Sequence, residues 1–185
     1  MALQSNVGKR KARLNEKELY EYAVKALGRH MRTEVELCRL MRQRAETGDS
    51  GEAAIAAVIE RLKEYRFLDD AAYAETYARL RHENEKLGAR RVRSDLAQKG
   101  LKADLINKTV DARYGETNEE TLARQHLERK RIKKPENEHE TARVVRRLIA
   151  AGFSIGVIMR ILRKWNVPEE MVAGIESIEA EPGEE

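Results

Sequence analysis

Apolar residues recur along this chain with the period of an α-helix. Ile55, Val58, Ile59 and Leu62 fall at i, i+3, i+4 and i+7, on a single stripe. Ile155, Ile158, Met159 and Leu162 repeat those offsets one hundred residues later. Leu37, Leu40 and Met41 make a shorter stripe, as do Tyr73, Tyr77 and Leu80. Strand-like alternation is nearly absent, so the pattern predicts an all-α fold. Start signals agree with the stripes. Thr33 followed by Glu36 has the form of a capping box, in which hydroxyl and carboxylate satisfy each other's backbone N–H groups. Asn15–Glu18 and Asn137–Glu140 are weaker versions, and Pro168 stands where the first turn of a last short helix begins.

The stripes also repeat. Val92, Leu96, Gly100 and Leu101 match Val144, Leu148, Gly152 and Phe153 at a constant offset of 52. At the same offset, Ile106 and Val110 match Ile158 and Leu162. Each block reads as a helix closed by a glycine C-cap, a sharp turn and a second helix. One further helix lies upstream of each, near 69–86 and near 118–133. Residues 16–66 follow the same order with a longer connection, Thr47-Gly48-Asp49-Ser50-Gly51. The chain therefore divides into a basic arm (1–15), helix-turn-helix-like three-helix repeats at 16–66, 67–115 and 116–167, and a short helix with an acidic tail (168–185). Units this small bury little surface alone, which predicts an elongated, curved array.

Charged residues make up 37% of the chain and aromatics 5%, a mixture that weighs against a thick α/β core with a deep pocket. One cysteine, Cys38, leaves no partner for an internal disulfide and fits a reduced, cytoplasmic compartment. The N-terminus has no apolar run of the kind a secretory signal needs, and nothing approaches the ~20 apolar residues of a membrane span. Charge is unevenly spread. Residues 1–13 carry Lys9, Arg10, Lys11 and Arg13 without an acid, residues 169–185 carry seven glutamates without a base, and the body between is +7. A basic body with an acidic tail fits a protein that approaches nucleic acid or an acidic partner.

Catalytic machinery is not apparent. The glycines at 48 and 51 lack the lysine and strand of a phosphate-binding loop. His30, His82, His126 and His139 are scattered, without a metal-ligand spacing, and read as surface helix residues. Cys38 lies beside the apolar stripe of its helix as a small hydrophobe. Asp69-Asp70 precedes a helix, where carboxylates accept the free N–H groups of the first turn. The expectation is a protein without cofactor, metal or enzymatic activity. The arginines and lysines are the stronger lead. Arg143, Arg146 and Arg147 share one helix face clear of the Leu148 stripe, and Arg90, Arg91 and Arg93 take the corresponding place one unit earlier. Arg124, Arg129, Lys130, Arg131, Lys133 and Lys134 lie between them, with Arg160, Arg163 and Lys164 beyond. The contacts expected from this set are Arg90, Arg91, Arg93, Arg124, Lys130, Arg131, Arg143, Arg146, Arg147 and Arg160, aligned to meet phosphates or carboxylates. Intrahelical pairs such as Glu120 with Arg124 compete with that role.

Five pieces in register resemble the RecX family: Tyr22-Ala23 with Leu27, the Thr33/Glu36/Leu37 helix start, Leu68-Asp69-Asp70 with Tyr73-Ala74, Leu96 through Lys99-Gly100-Leu101, and Gly152-Phe153-Ser154. The resemblance spans approximately 16–165. It implies three tandem three-helix repeats and binding to the RecA nucleoprotein filament, lodged in its groove. It further implies restraint of filament growth, strand exchange, ATP hydrolysis and LexA co-protease activity. Contact with single-stranded DNA beside RecA follows from the basic faces, and the free protein is expected as a monomer. Bridging neighbouring RecA protomers and capping a filament end remain open alternatives. The competing reading is an independent helical module that binds DNA, duplex included, without RecA.

Overall fold

A computed structural model describes residues 13–172, which form nine α-helices: α1 (Glu16–Leu27), α2 (Glu34–Arg42), α3 (Asp49–Glu64), α4 (Asp70–Leu80), α5 (Ala89–Gln98), α6 (Ala103–Tyr114), α7 (Glu119–Arg129), α8 (Glu138–Ala150) and α9 (Ile155–Lys164). A π-helical turn, Arg81–Glu85, continues α4, and a 3-10 turn, Glu169–Met171, follows Pro168. No strand occurs among the described residues beyond a lone bridge between Leu14 and Ala45, so the all-α expectation holds. Most of the basic arm and of the acidic tail falls outside the described residues.

Asn15 and Thr33 form reciprocal boxes with Glu18 and Glu36. The Asn137 box is only half made. Asn137 Oδ1 accepts the Glu140 N–H at 2.9 Å, but the Glu140 carboxylate takes the N–H of Glu136, one residue too early. Two further expectations need correction. Asp49-Ser50-Gly51 is the first turn of α3 rather than part of a connection, because a Cβ at position 51 would lie 1.8 Å from the Glu46 carbonyl oxygen and glycine lets the backbones touch. On α4 the inner face is Tyr73, Ala74 and Ala78, while Leu80 stays 41% exposed. A stripe of large side chains overlooks alanines, which are buried when backbones approach closely.

The chain forms two compact units. The first comprises the described residues up to Tyr73 together with Lys99–Leu101. In it α1 and α2 pack on α3 around Leu19, Leu37, Met41, Ile55, Val58, Ile59 and Leu62. The Thr33 hydroxyl accepts the Glu36 N–H at 3.2 Å and donates to the Lys99 carbonyl at 2.7 Å, which uses the hydroxyl in both directions. The Lys99 ammonium meets the Glu36 carboxylate at 2.9 Å and lies over the Tyr73 ring. Asp69 caps α4, its Oδ1 accepting the N–H groups of Ala71 and Ala72. Asp70 departs from the capping role expected of it and accepts the Glu34 N–H at the start of α2.

The second unit holds Ala74–Gln98 and the residues from Lys102 on. Its core joins Leu122, Ala123 and Leu127 of α7 with Val144, Val145 and Leu148 of α8 and Val157, Ile158, Ile161 and Leu162 of α9. Phe153, 1% exposed, fills the turn between α8 and α9, the packing role its position suggests. Gly88 and Gly152 let two chain segments meet. Gly88 donates to the Ala151 carbonyl at 2.8 Å, and a Cβ on Gly152 would stand 2.4 Å from the Arg91 nitrogen. His126 is 5% exposed and so is no surface residue: Nδ1 lies 3.1 Å from the Glu85 carbonyl and the ring meets Phe153 edge-on. Desolvation by burial lowers its pKa. His82 is half-buried against Tyr114.

Candidate nucleic-acid interface

The chain between α7 and α8 is built by helix ends. Helix α7 stops when Arg131 adopts a left-handed φ of 52° and the Ile132 N–H returns to the Leu127 carbonyl at 2.9 Å. Six residues later Asn137 opens α8. The burial of Val144, Val145 and Leu148 fixes the roll of α8 and turns Arg143, Arg146 and Arg147 to solvent. The result is a groove of about 470 Å³ with Ile132, Pro135 and Val144 in its lining. Five cations surround that apolar lining: Arg131, Lys133, Lys134, Arg143 and Arg147. Glu136 and Glu140 are the only carboxylates that line it, and Glu140 accepts the Glu136 N–H. None of the five cations has an ion pair among the described residues.

The remaining expected contacts divide by their neighbours. Arg91 pairs with Asp95 at 2.8 Å and Arg93 with Asp111 at 2.5 Å. Arg124 and Arg160 both turn to Glu120, at 3.1 and 3.5 Å, and Lys164 reaches the same carboxylate at 2.6 Å. The Lys164 hydrogen bond lowers the Glu120 pKa. Lys130, Arg146 and Arg90 are exposed outside the groove lining. The structure thus gathers three of the ten expected residues, Arg131, Arg143 and Arg147, and adds Lys133 and Lys134 from the basic run. Only the i+4 relation of Glu120 to Arg124 is visible in the sequence; its part as an anchor for α9 cations is set by the packing of α7 on α9.

Among the described residues no group of His, Cys, Asp or Glu is placed to hold a metal ion, and no helix is long and apolar enough to cross a membrane. Cys38 is half-buried, and burial raises its thiol pKa. Chemically, the groove offers an anion several donors at once around an apolar floor.

Residues 69–110 match the sequence model of the second three-helix domain of RecX. The chain is 33% identical over 141 residues to the regulatory protein RecX of Leptothrix cholodnii, covering 76% of this chain and 85% of that protein. It is 31% identical over 144 residues to the RecX of Thermobifida fusca, covering 76% and 75%. The match to the Geobacillus thermodenitrificans RecX, 30% identical, spans about half of that protein, 53%. In three dimensions the fold resembles the crystal structure of RecX from Lactobacillus salivarius, with a TM-score of 0.62 at 21% identity over 83% of this chain and 97% of that one. A second crystal structure of a regulatory protein RecX gives a TM-score of 0.64 over 80% and 71%. The chain belongs to the RecX family of regulatory proteins.

Proposed function

We propose that this chain modulates the RecA recombinase by binding the RecA–single-stranded DNA filament and restraining its growth, ATP hydrolysis, strand exchange and LexA co-protease activity. The observation that carries the reading is the groove beside α8, where five unpaired cations face two carboxylates. A polyanionic strand held by protein protomers offers such a groove repeated phosphates, and charge-assisted contacts to them need no deformation of the site. We read the helices as three tandem units, 16–66, 67–115 and 116–167, of which the last carries the groove. Binding that favours one filament geometry shifts the filament away from the motions of growth and turnover. The protein acts as a cytoplasmic monomer in this reading, without cofactor.

The test is RecA ATP hydrolysis on single-stranded DNA with the chain added below and at stoichiometric ratios. Suppression supports the reading, and suppression at low ratios assigns the action to filament ends. Unchanged hydrolysis together with tight binding to bare DNA overturns it in favour of an independent DNA-binding module.

A further inference from the structure

Six helical segments among the described residues end alike, with a residue in the left-handed region just past the last turn: Arg66 after α3, Lys86 after the π-helical turn that continues α4, Gly100 after α5, Arg131 after α7, Gly152 after α8 and Asn166 after α9, with φ of 58°, 54°, 84°, 52°, 89° and 51°. At such ends the following residue closes the motif, and its side chain packs back on the helix. Phe153 and Val167 are buried in this way, and Ile132 is half-buried against the core. Phe67 makes the same backbone bond, to the Leu62 carbonyl at 2.9 Å, yet remains 54% exposed. Leu68, one residue on, enters the core in its place.

Tyr65, on the other side of Arg66, is 56% exposed. Of the nine aromatic residues in the chain, these two alone are exposed, and they flank one arginine. The Arg61 guanidinium lies 4.4 Å from the Tyr20 ring and 5.8 Å from the Tyr65 ring, which steadies Tyr65. Arg66, held at positive φ, sets two aromatics on the solvent side of the turn while Leu68 enters the core. Charge then separates two possible occupants. The adjoining groove is lined by Glu34, Asp69 and Asp70 against Lys63 and Arg66, and Lys63 is already bound to Glu34 at 2.9 Å. Such a surface disfavours a phosphodiester strand, the reverse of the groove beside α8. Tyrosine and arginine around a large apolar side chain are the composition of a protein hot spot.

We propose that Tyr65, Arg66 and Phe67 form a protein-docking knob. Phe67 enters an apolar socket on a partner that also presents a lysine or arginine to the exposed carboxylate of Asp69. The inference rests on the RecA reading, and within it assigns protein contact to the knob and polyanion contact to the groove beside α8.

The experiment compares Phe67→Ser, alone and with Tyr65→Ser, for binding to RecA-coated single-stranded DNA and to the same strand bare, with thermal melting as a check on folding. More than half of each side chain is exposed and neither belongs to the core, so both variants keep a cooperative melt. Filament affinity falls by about 30-fold or more in the double variant, the loss typical of hot-spot truncation. Binding to the bare strand is unchanged, and Phe67→Trp retains filament binding. Full filament affinity in the double variant overturns the proposal. An equal loss on the bare strand overturns it too, and makes the pair a base-stacking platform. If the unmodified chain fails to bind the filament, the RecA reading itself fails, and the partner assigned here falls with it.

Discussion

Replacing Arg131, Arg143 and Arg147 with alanine together removes three of the five cations around the groove beside α8. The expected effect is computed from counterion release. Each phosphate neutralised on a single strand adds about −0.7 to the slope of log affinity on log salt. Five engaged cations give a slope of about −3.5, and the two lysines left in the triple variant give about −1.4. Raising salt from 50 to 200 mM then weakens the unmodified chain about 130-fold and the triple variant only about 7-fold. Fluorescence anisotropy of an end-labelled oligothymidylate, titrated at four or five salt concentrations, reads both slopes. All three residues are exposed, so circular dichroism is expected to be the same. Arg91→Ala with Arg93→Ala is the matched comparison. Those guanidiniums must leave Asp95 and Asp111 to reach a phosphate, so their loss flattens the slope less. An unchanged slope in the triple variant, or an equal flattening in the paired one, would show that the groove is not where anions bind.

Three further outcomes follow from the packing. Gly152 and Gly48 share a φ of 89°, but a Cβ meets the Arg91 nitrogen at 2.4 Å in the first case and nothing within 4 Å in the second. Gly48, at ψ −165°, holds a conformation open essentially to glycine alone, so Gly48→Ala costs about 1–3 kcal/mol through the backbone only. Gly152→Ala costs about 1 kcal/mol or more from the left-handed conformation and further through the clash; a loss of no more than about 1 kcal/mol for Gly152→Ala in urea unfolding would refute the close approach. Leu162, 1% exposed, should cost about 2–5 kcal/mol as Leu162→Ala, and Leu162→Asp should abolish the cooperative melt by burying an unpaired charge. His126 has a folded pKa below its ordinary 6.5, so the unfolded chain takes up a proton more readily and stability falls as pH drops through that value. His126→Leu should reduce that dependence, leaving the same-signed contribution of half-buried His82, and urea midpoints at pH 7.5 and 5.5 that shift as much as in the unmodified chain would refute it.

What the chain reveals about itself depends on whether a signal is local. Helix stripes and caps are local, and the α3 and α9 faces, the Thr33 box and the Gly100 and Gly152 turns could all be read directly. Alternatives arose where burial came from elsewhere in the fold. Nothing near His126 in sequence points to the Glu85 carbonyl that receives it. The candidate site follows the same rule. A run of cations is visible as composition, but whether each is free depends on acids brought by other helices. Glu120 of α7 removes Arg160 of α9 from the set, Asp111 of α6 removes Arg93 of α5, and the loop ahead of α8 adds Lys133 and Lys134.

The helix ends supply a rule that neither stripes nor charge contain. Where the left-handed position faces other protein, only hydrogen fits: a Cβ on Gly100 would strike Val35 at 2.7 Å, and one on Gly152 would strike Arg91. Arg66 and Arg131 occupy the same backbone position at ends that line open grooves. There the side chain meets solvent, and a cation beside the last carbonyls is favoured by the helix dipole, which offsets part of the cost of positive φ. Glycine therefore marks ends used for packing, while the exposed Arg66, Arg131 and Asn166 stand at ends left outward. Both arginine ends border the surfaces assigned here to partners, one beside exposed aromatics and the other among lysines. The same turn that ends a helix thus also sets the cation, so binding surface and helix length are specified together by one residue.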